Sequence, residues 1–297
     1  MIKHFENLQS HTRGLLYISF TAFLWSSSGL FIKVLTLDAF QISFYRSAIA
    51  GLTILIITFL RNKKPKFETD IISNLCAISY SAILIFFVLA TKMTTAANAI
   101  FLQFTAPIYL LFLEPIFLKT KFKSRDLVTI LFCIAGMVLF FFGRLDMGSI
   151  YGNLLAILSG ISFAFFSLFL KWKKQLHGST NTINNLIVGN FLVSLICLPL
   201  VFDKLALTGT EFLILLYMGA IQIGVSYMIF NEGIKYISAT ESMIIAMLEA
   251  IFNPIWVFLG IGEKPSGFAI IGAGIIFAAI LVHNIRSSRK AKMLIVE

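Results

Sequence analysis

Long apolar runs alternate with short polar loops along almost the whole chain. A helix rises 1.5 Å per residue, so about 20 apolar residues cross the hydrocarbon core of a bilayer. Ten runs of that kind fall at roughly 14–34, 39–60, 71–91, 97–118, 124–142, 152–170, 182–202, 212–232, 239–259 and 265–284. The pattern predicts an all-α integral membrane protein with ten transmembrane helices. The loops between the runs are too short to hold a soluble domain. The first run has one ambiguity: Leu15–Trp25 followed by Ser26–Gly29 imitates the end of a signal peptide. Apolar character resumes through Ile32, which makes the run a full span instead.

Composition agrees with lipid as the solvent. Of 297 residues, 58% are hydrophobic and 13% charged, about half the charged share of a soluble domain. The net charge of +10 resides in loops between apolar runs, not on a soluble face, which excludes nucleic acid as the partner and leaves the bilayer. Basic residues flank cytoplasmic ends of membrane helices. With the N-terminus inside, 18 Lys and Arg fall on the inner side: Lys3, Arg13, Arg61, Lys63, Lys64, Lys66, Lys119, Lys121, Lys123, Arg125, Lys171, Lys173, Lys174, Lys235, Arg286, Arg289, Lys290 and Lys292. Five fall outside, namely Lys33, Lys92, Arg144, Lys204 and Lys264. That asymmetry predicts both termini in the cytoplasm. The three cysteines, Cys76, Cys133 and Cys197, are widely spaced within apolar runs and form no CxxC pair.

The two halves of the chain resemble each other. Residues 14–33 align with 152–171 at an offset of 138, pairing Lys33 with Lys171; residues 89–99 align with 232–242 at an offset of 143, pairing Lys92 with Lys235. Five helices per half means that the second half enters the membrane from the opposite side. The expectation is two inverted five-helix repeats, residues 1–147 and 148–297. Many secondary transporters are built this way, with the solute site near the midplane between repeats.

Several segments then resemble the EamA-type branch of the drug/metabolite transporter superfamily. FLWSSSGLFIK (23–33) is similar to the family's first helix and FYRSAIAG (44–51) to its Arg-containing second helix. Residues 94–122 and 237–266 look like the fourth helix of each repeat, with Glu249 and Glu263 fourteen residues apart as in the family. The sequence departs from the family at Lys119-Thr120, where Gly-Glu is common, and at Glu249-Ala250, where Glu-Pro is usual. The resemblance implies carriage of small organic solutes across the cytoplasmic membrane, with amino acids and related metabolites, often exported, as common substrates. Nucleotide-sugars or drugs are the alternative solutes within the superfamily.

Few residues in the runs carry chemistry. Ionisable groups inside a membrane usually face a cavity or a partner. Arg46 lies about 7 residues into the second run, roughly 10 Å deep, and Glu249 about 10 residues into the ninth, roughly 15 Å deep, so both approach the midplane of a core about 30 Å thick. They either pair with each other or take the two ends of a zwitterionic solute. Arg46 then forks onto a carboxylate, and Glu249 holds an ammonium group or carries a proton. Trp25, Ser26, Gln103, Asn190, Gln222 and Asn253 lie near the same depth and can orient a ligand or glue helices together. Glu114, one turn from the inner end of the fourth run, faces the basic loop 119–125 in a structural or gating role. Pro107, Pro115, Pro199 and Pro254 free backbone carbonyls inside spans, and Asn253-Pro254 beside Glu249 is the expected local break. Glu232 and Glu241 bracket Lys235 as a surface salt bridge.

Other functions lack their residues. The four histidines, His4, His11, His177 and His283, fall in tails, loops or helix ends; no HExxH or GxSxG is present, and no phosphate-binding GxxxxGK[ST] loop. No metal, cofactor or catalytic set is predicted, and primary pumping is excluded. A phosphorylated solute calls for several deep cations, and only Arg46 is one. Ten helices enclose a cavity without a protein partner.

Overall fold

Lipid offers no water to a backbone N–H or C=O, so a spanning segment must close its own hydrogen bonds, as a helix does. The computed structural model describes residues 10–61, 70–140, 142, 149–177, 182–261 and 266–296, excluding the side chains of 177, 254, 257, 260, 261 and 288–296. Among these residues every regular element is helical. Several predicted features lie outside them: Lys3, His4, Lys63, Lys64, Lys66, Arg144, Glu263, Lys264, the 147/148 division, and the side chains of His177, Pro254, Arg289, Lys290 and Lys292.

The helices are α1 (Ser10–Trp25), α2 (Ser28–Val34), α3 (Ala39–Leu60), α4 (Ile71–Met93), α5 (Ala96–Gln103), α6 (Ala106–Leu118) and α7 (Ser124–Phe140). Then come α8 (Ile150–His177), α9 (Ile183–Val201), α10 (Gly209–Tyr217), a π-helical segment (Met218–Val225), α11 (Ser226–Gly233), α12 (Ala239–Ala246), α13 (Leu248–Ile261) and α14 (Gly267–Val296). Short polar residues mark many of the entries. Asp38, Asp70, Thr95, Thr208 and Ser238 each accept hydrogen bonds from the first free amides of the helix that follows.

Among the described residues eight stretches are long and apolar enough to cross a membrane: Ser10–Val34, Ala39–Leu60, Ile71–Met93, Ala96–Leu118, Ile150–Leu176, Ile183–Val201, Gly209–Gly233 and Gly267–Ser287. The chain is a multi-pass membrane protein. The other two predicted spans correspond to α7, whose 17 residues are short for a span, and to α12 and α13, which are separated at Met247. Large apolar side chains such as Leu60, Ile71, Ile116 and Leu213 point outward, as a lipid-facing surface requires.

Three apolar runs are interrupted. The first breaks at Ser26-Ser27, the fourth at Phe104-Thr105 and the ninth at Met247. Amide bonds three residues back, Thr105 to Leu102 (3.2 Å) and Met247 to Ile244 (3.3 Å), tighten the chain there. The ninth-run break therefore precedes Glu249, and the helix continues through Asn253 and Pro254, contrary to the expectation of a break at that pair. Proline inside a membrane helix is tolerated where neighbours satisfy the freed carbonyl, and Pro115 and Pro199 also sit inside helices. Pro107 opens α6, where a missing amide costs nothing.

Helices from the first half pack mainly on helices from the second: α4 along α8, α3 along α9, α7 along α14 and α1 along α11. The α7–α14 seam is close because Gly272 has no Cβ; one built there would lie 2.5 Å from the Gly136 carbonyl oxygen. At one end, Lys33 Nζ donates to the Thr94 carbonyl (2.8 Å) and Lys92 Nζ to the Leu35 carbonyl (2.7 Å), so two lysines cross-cap the ends of α2 and α4. At the other end Lys173, read above as one of the inner-side basic residues, is buried at 1% exposure and meets Asp70 (3.4 Å) and Ser73 at the start of α4.

Burial alone pushes the Asp70 carboxyl up, but hydrogen bonds from Ser73 and the Lys173 ammonium outweigh it and hold the group at about 2. A carboxyl depressed in the folded state contributes stability that is full above its ordinary value of about 3.9 and is lost as pH falls through about 2. Asp70→Asn is expected to lower the thermal midpoint at pH 7, with the deficit closing as pH drops across that window. A deficit that does not change with pH contradicts the ion-pair account.

Candidate functional site

A cavity of about 30 Å³ lies in the middle of the bundle, lined by Trp25, Ser28, Arg46, Ile83, Leu84, Phe87, Gln103, Phe163, Gln222, Ile223, Tyr227 and Glu249. That is room for about one water. Five of the predicted site residues meet there: Trp25, Arg46, Gln103, Gln222 and Glu249. Four of these sit at helix irregularities. Trp25 ends α1 and Gln103 ends α5 at their breaks, Glu249 follows the break at Met247, and Gln222 lies in the π segment. Interrupted backbone at membrane depth is tolerated where it is buried in protein or lines a cavity, and π segments recur at functional sites.

Arg46 comes from the unbroken α3 and is 2% exposed. The π segment reaches it because residue 219 is glycine, where a Cβ would sit 2.8 Å from the Arg46 carbonyl oxygen and 2.6 Å from Ile49 Cβ. Among the described residues, the Arg46 Nε and Nη1 atoms have no hydrogen-bond partner. Glu249 is 4% exposed and forms neither a hydrogen bond nor an ion pair with any described residue. Of the two arrangements open to this pair, a mutual salt bridge is not made. A basic and an acidic side chain instead border one cavity, each with bonding capacity to spare. The Ser28 hydroxyl and the Gln222 carbonyl oxygen beside them are also without partners.

The rest of the wall is apolar, with Trp25, Phe87, Phe163 and Tyr227 beside Ile83, Leu84 and Ile223. Trp25 Nε1 donates to Ser226 Oγ (2.7 Å), which locks the indole against Tyr227 (4.6 Å between centroids), Phe230 (5.3 Å) and Phe163 (5.5 Å). Gln103 Nε2 donates to Ser159 Oγ (2.9 Å) and Gln222 Nε2 to Ser27 Oγ (2.9 Å), so each amide keeps its orientation.

Four predicted residues, Ser26, Asn190, Asn253 and Glu114, lie elsewhere. Ser26 turns its back on the cavity: its carbonyl accepts from Asn253 Nδ2 (2.8 Å) and its hydroxyl from Trp256 Nε1 (2.7 Å), which fastens the first break to α13. Asn190 donates to the Tyr80 hydroxyl (3.1 Å), and Tyr80 packs edge-on against Tyr227 (4.7 Å), so the amide supports the wall from behind. Glu114 does not meet the basic loop. Its carboxylate accepts from the amides of Ala239 (3.2 Å) and Thr240 (2.9 Å) and from the Thr240 hydroxyl (2.6 Å), because the free N–H groups and positive end of α12 draw in an anion.

Two further expectations change. Glu232 pairs with Lys235 (2.6 Å), but Glu241 is buried and bonds to His11 (3.0 Å), with His283 at 3.7 Å. Ser238 precedes α12, and its hydroxyl accepts from the Glu241 amide (3.1 Å). His283 is buried within α14, where Thr129 meets its Nδ1 (3.1 Å), not in a tail or at a helix end. The reading of amides and indole near the midplane missed Tyr227. The signal was available: a tyrosine hydroxyl within an apolar run needs a partner or a cavity as much as an amide does.

A model of the EamA-like transporter family matches residues 12–142 and again 150–285, so the chain belongs to that family, within the drug/metabolite transporter superfamily. It is a transporter, not an enzyme. An uncharacterized transporter of Archaeoglobus fulgidus is 24% identical over 276 residues, which cover 89% of this chain and 95% of that one. Solute carrier family 35 member G1 of Mus musculus is 32% identical over 130 residues, 42% of this chain and 35% of its own. A crystal structure of a protein 16% identical superposes with a TM-score of 0.78 over 94% of this chain and 98% of its own, a likeness of fold alone.

An unpaired buried cation costs several kcal/mol of desolvation. Arg46→Met is therefore expected to raise the thermal midpoint in detergent by a few degrees while abolishing flux. A lowered midpoint means that Arg46 holds the fold together and is not held in reserve for a ligand.

Proposed function

We propose that the chain carries small zwitterionic solutes, amino acids or related metabolites, outward across the cytoplasmic membrane by alternating access. One observation carries this reading: the basic Arg46 and the acidic Glu249 border the same cavity and form no salt bridge with each other. A carboxylate fits the guanidinium fork and an ammonium group fits the carboxylate. Trp25, Tyr227 and Phe163 supply an apolar wall that suits aromatic or branched side chains. Gln103 and Gln222 orient the ligand, while Ser26, Asn190 and Asn253 support the site from outside the cavity. Glu249 is also the group that carries a proton if transport is coupled.

The ten predicted spans form two inverted repeats, residues 1–147 and 148–297, with both termini cytoplasmic. Several features support this. The fourth and ninth spans both begin with an eight-residue helix, α5 and α12, and both break at the offset of 143 seen in the sequence. Packing between helices is exchanged by the repeat: α4 on α8 matches α11 on α1, and α5 on α8 matches α12 on α1. The cross-capping lysines Lys33 and Lys92 close the outer end, while the inner end has a wide recess. A cavity the size of one water then corresponds to a site between openings. Glu114 ties α6 to α12 and acts in gating, with Pro107 and Pro254 in the two broken spans.

The test is uptake of pooled labelled amino acids into proteoliposomes, with and without a pH gradient, by the native chain and by Glu249→Gln. The expected result is accumulation that needs the gradient and is lost in the variant. Equal equilibration by both proteins makes the chain a facilitator and Glu249 structural.

A further inference from the structure

The end of the bundle that carries the basic loops holds a second, much larger space. A recess of about 570 Å³ lies between α1, α6, α8, α12 and the segment that starts α7. Pockets for small molecules run about 300–1,000 Å³, so this recess has room for a whole metabolite where the central cavity does not. Its cations come from separate parts of the chain. Lys123 and Arg125 flank the start of α7, and Lys171 and Lys174 are three apart on α8, which puts them on one face.

The carboxylates nearby are already engaged. Glu114 caps α12, Glu241 bonds to His11, and Asp126 meets Arg125 (3.3 Å). Among the described residues no carboxylate lies within 4 Å of Lys123, Lys171 or Lys174. Among the described residues Lys174 donates only to the neutral Lys235 carbonyl. The first amides of α12 are taken by Glu114 and Ser238, so the unspent capacity of the recess is cationic. Lys123, Arg125, Lys171 and Lys174 outnumber the two carboxylates in the lining, Glu114 and Glu241; an excess of positive charge between low-dielectric walls concentrates anions, and ammonium groups bind carboxylate or phosphate oxygens strongly.

We propose that this recess binds a small dissolved anion, through the carboxylate or phosphate group of a soluble metabolite, at Lys171, Lys174 and Lys123, apart from the central cavity. The inference rests on the transport reading for its purpose, as the point where an outgoing solute is first held. The binding itself does not depend on that reading.

The same chemistry is offered by an acidic lipid headgroup, and the experiment separates the two. The full chain is placed in phosphatidylcholine nanodiscs and titrated with inorganic phosphate against chloride at constant ionic strength, reading the thermal midpoint. A saturable rise of about 2–4 °C is expected, as ligand binding to the folded state gives. It should be lost in Lys171→Gln/Lys174→Gln, restored in Lys171→Arg/Lys174→Arg, and kept in Arg46→Gln. A rise that survives the glutamine pair, or one that Arg46→Gln abolishes, overturns the proposal. So does a midpoint already raised in phosphatidylglycerol discs, sensitive to the glutamine pair and no longer responsive to phosphate, because a headgroup then fills the recess. Solute flux is not read here, so failure leaves the Arg46–Glu249 reading standing to its own test.

Discussion

Inside a bilayer a polar group without a protein partner has no water to fall back on, and this constraint orders the whole structure. Around the central cavity it is met across the two halves of the chain. Trp25 finds Ser226, Gln103 finds Ser159, Gln222 finds Ser27 and Asn253 finds the Ser26 carbonyl. Each of these bonds fixes a side chain and also holds together helices distant in sequence. Arg46 and Glu249 depart from the rule. Both are ionisable, both border one cavity, and they form no salt bridge with each other. A fold selected for stability alone would pair them or replace them with apolar groups.

The departure is built by the backbone. Breaks at Ser26-Ser27, Phe104-Thr105 and Met247, together with the π segment at Met218–Val225, converge on the same region. Uninterrupted helices would present only side chains there and would pack without a gap. The breaks end α1 at Trp25 and α5 at Gln103 and restart the ninth run just before Glu249, so the polar groups sit where the helices are least regular. Glycine at 219 lets the π segment approach α3 at the turn that carries Arg46. The same irregularities supply places where helices can bend against each other if the two ends of the bundle open in turn.

Much of this was legible in the sequence. Run length located the eight long apolar helices among the described residues, and depth along the run brought Arg46 and Glu249 to one cavity. Depth, however, says nothing about rotation around a helix axis. Ser26 and Asn253 lie at the right level yet face each other and Trp256 instead of the cavity, because packing between helices sets that angle. Glu114 reached past its own loop to the start of α12, since a helix start with free amides attracts a carboxylate more strongly than flexible surface lysines do. The π segment has no proline, and Gly219 and Gly224 alone do not separate it from an ordinary span; the Met247 break fell short of the proline expected to cause it.

The central claim is that Glu249 reads the ammonium end of a solute whose carboxylate is held by Arg46. The most direct test is equilibrium exchange without any gradient, comparing a transported amino acid with its N-acetyl derivative in the native chain and in Glu249→Gln. The account predicts that the variant weakens exchange of the free amino acid and leaves the acetylated one unchanged or improved. Equal loss for both compounds contradicts it, because Glu249 then acts without regard to the ammonium group.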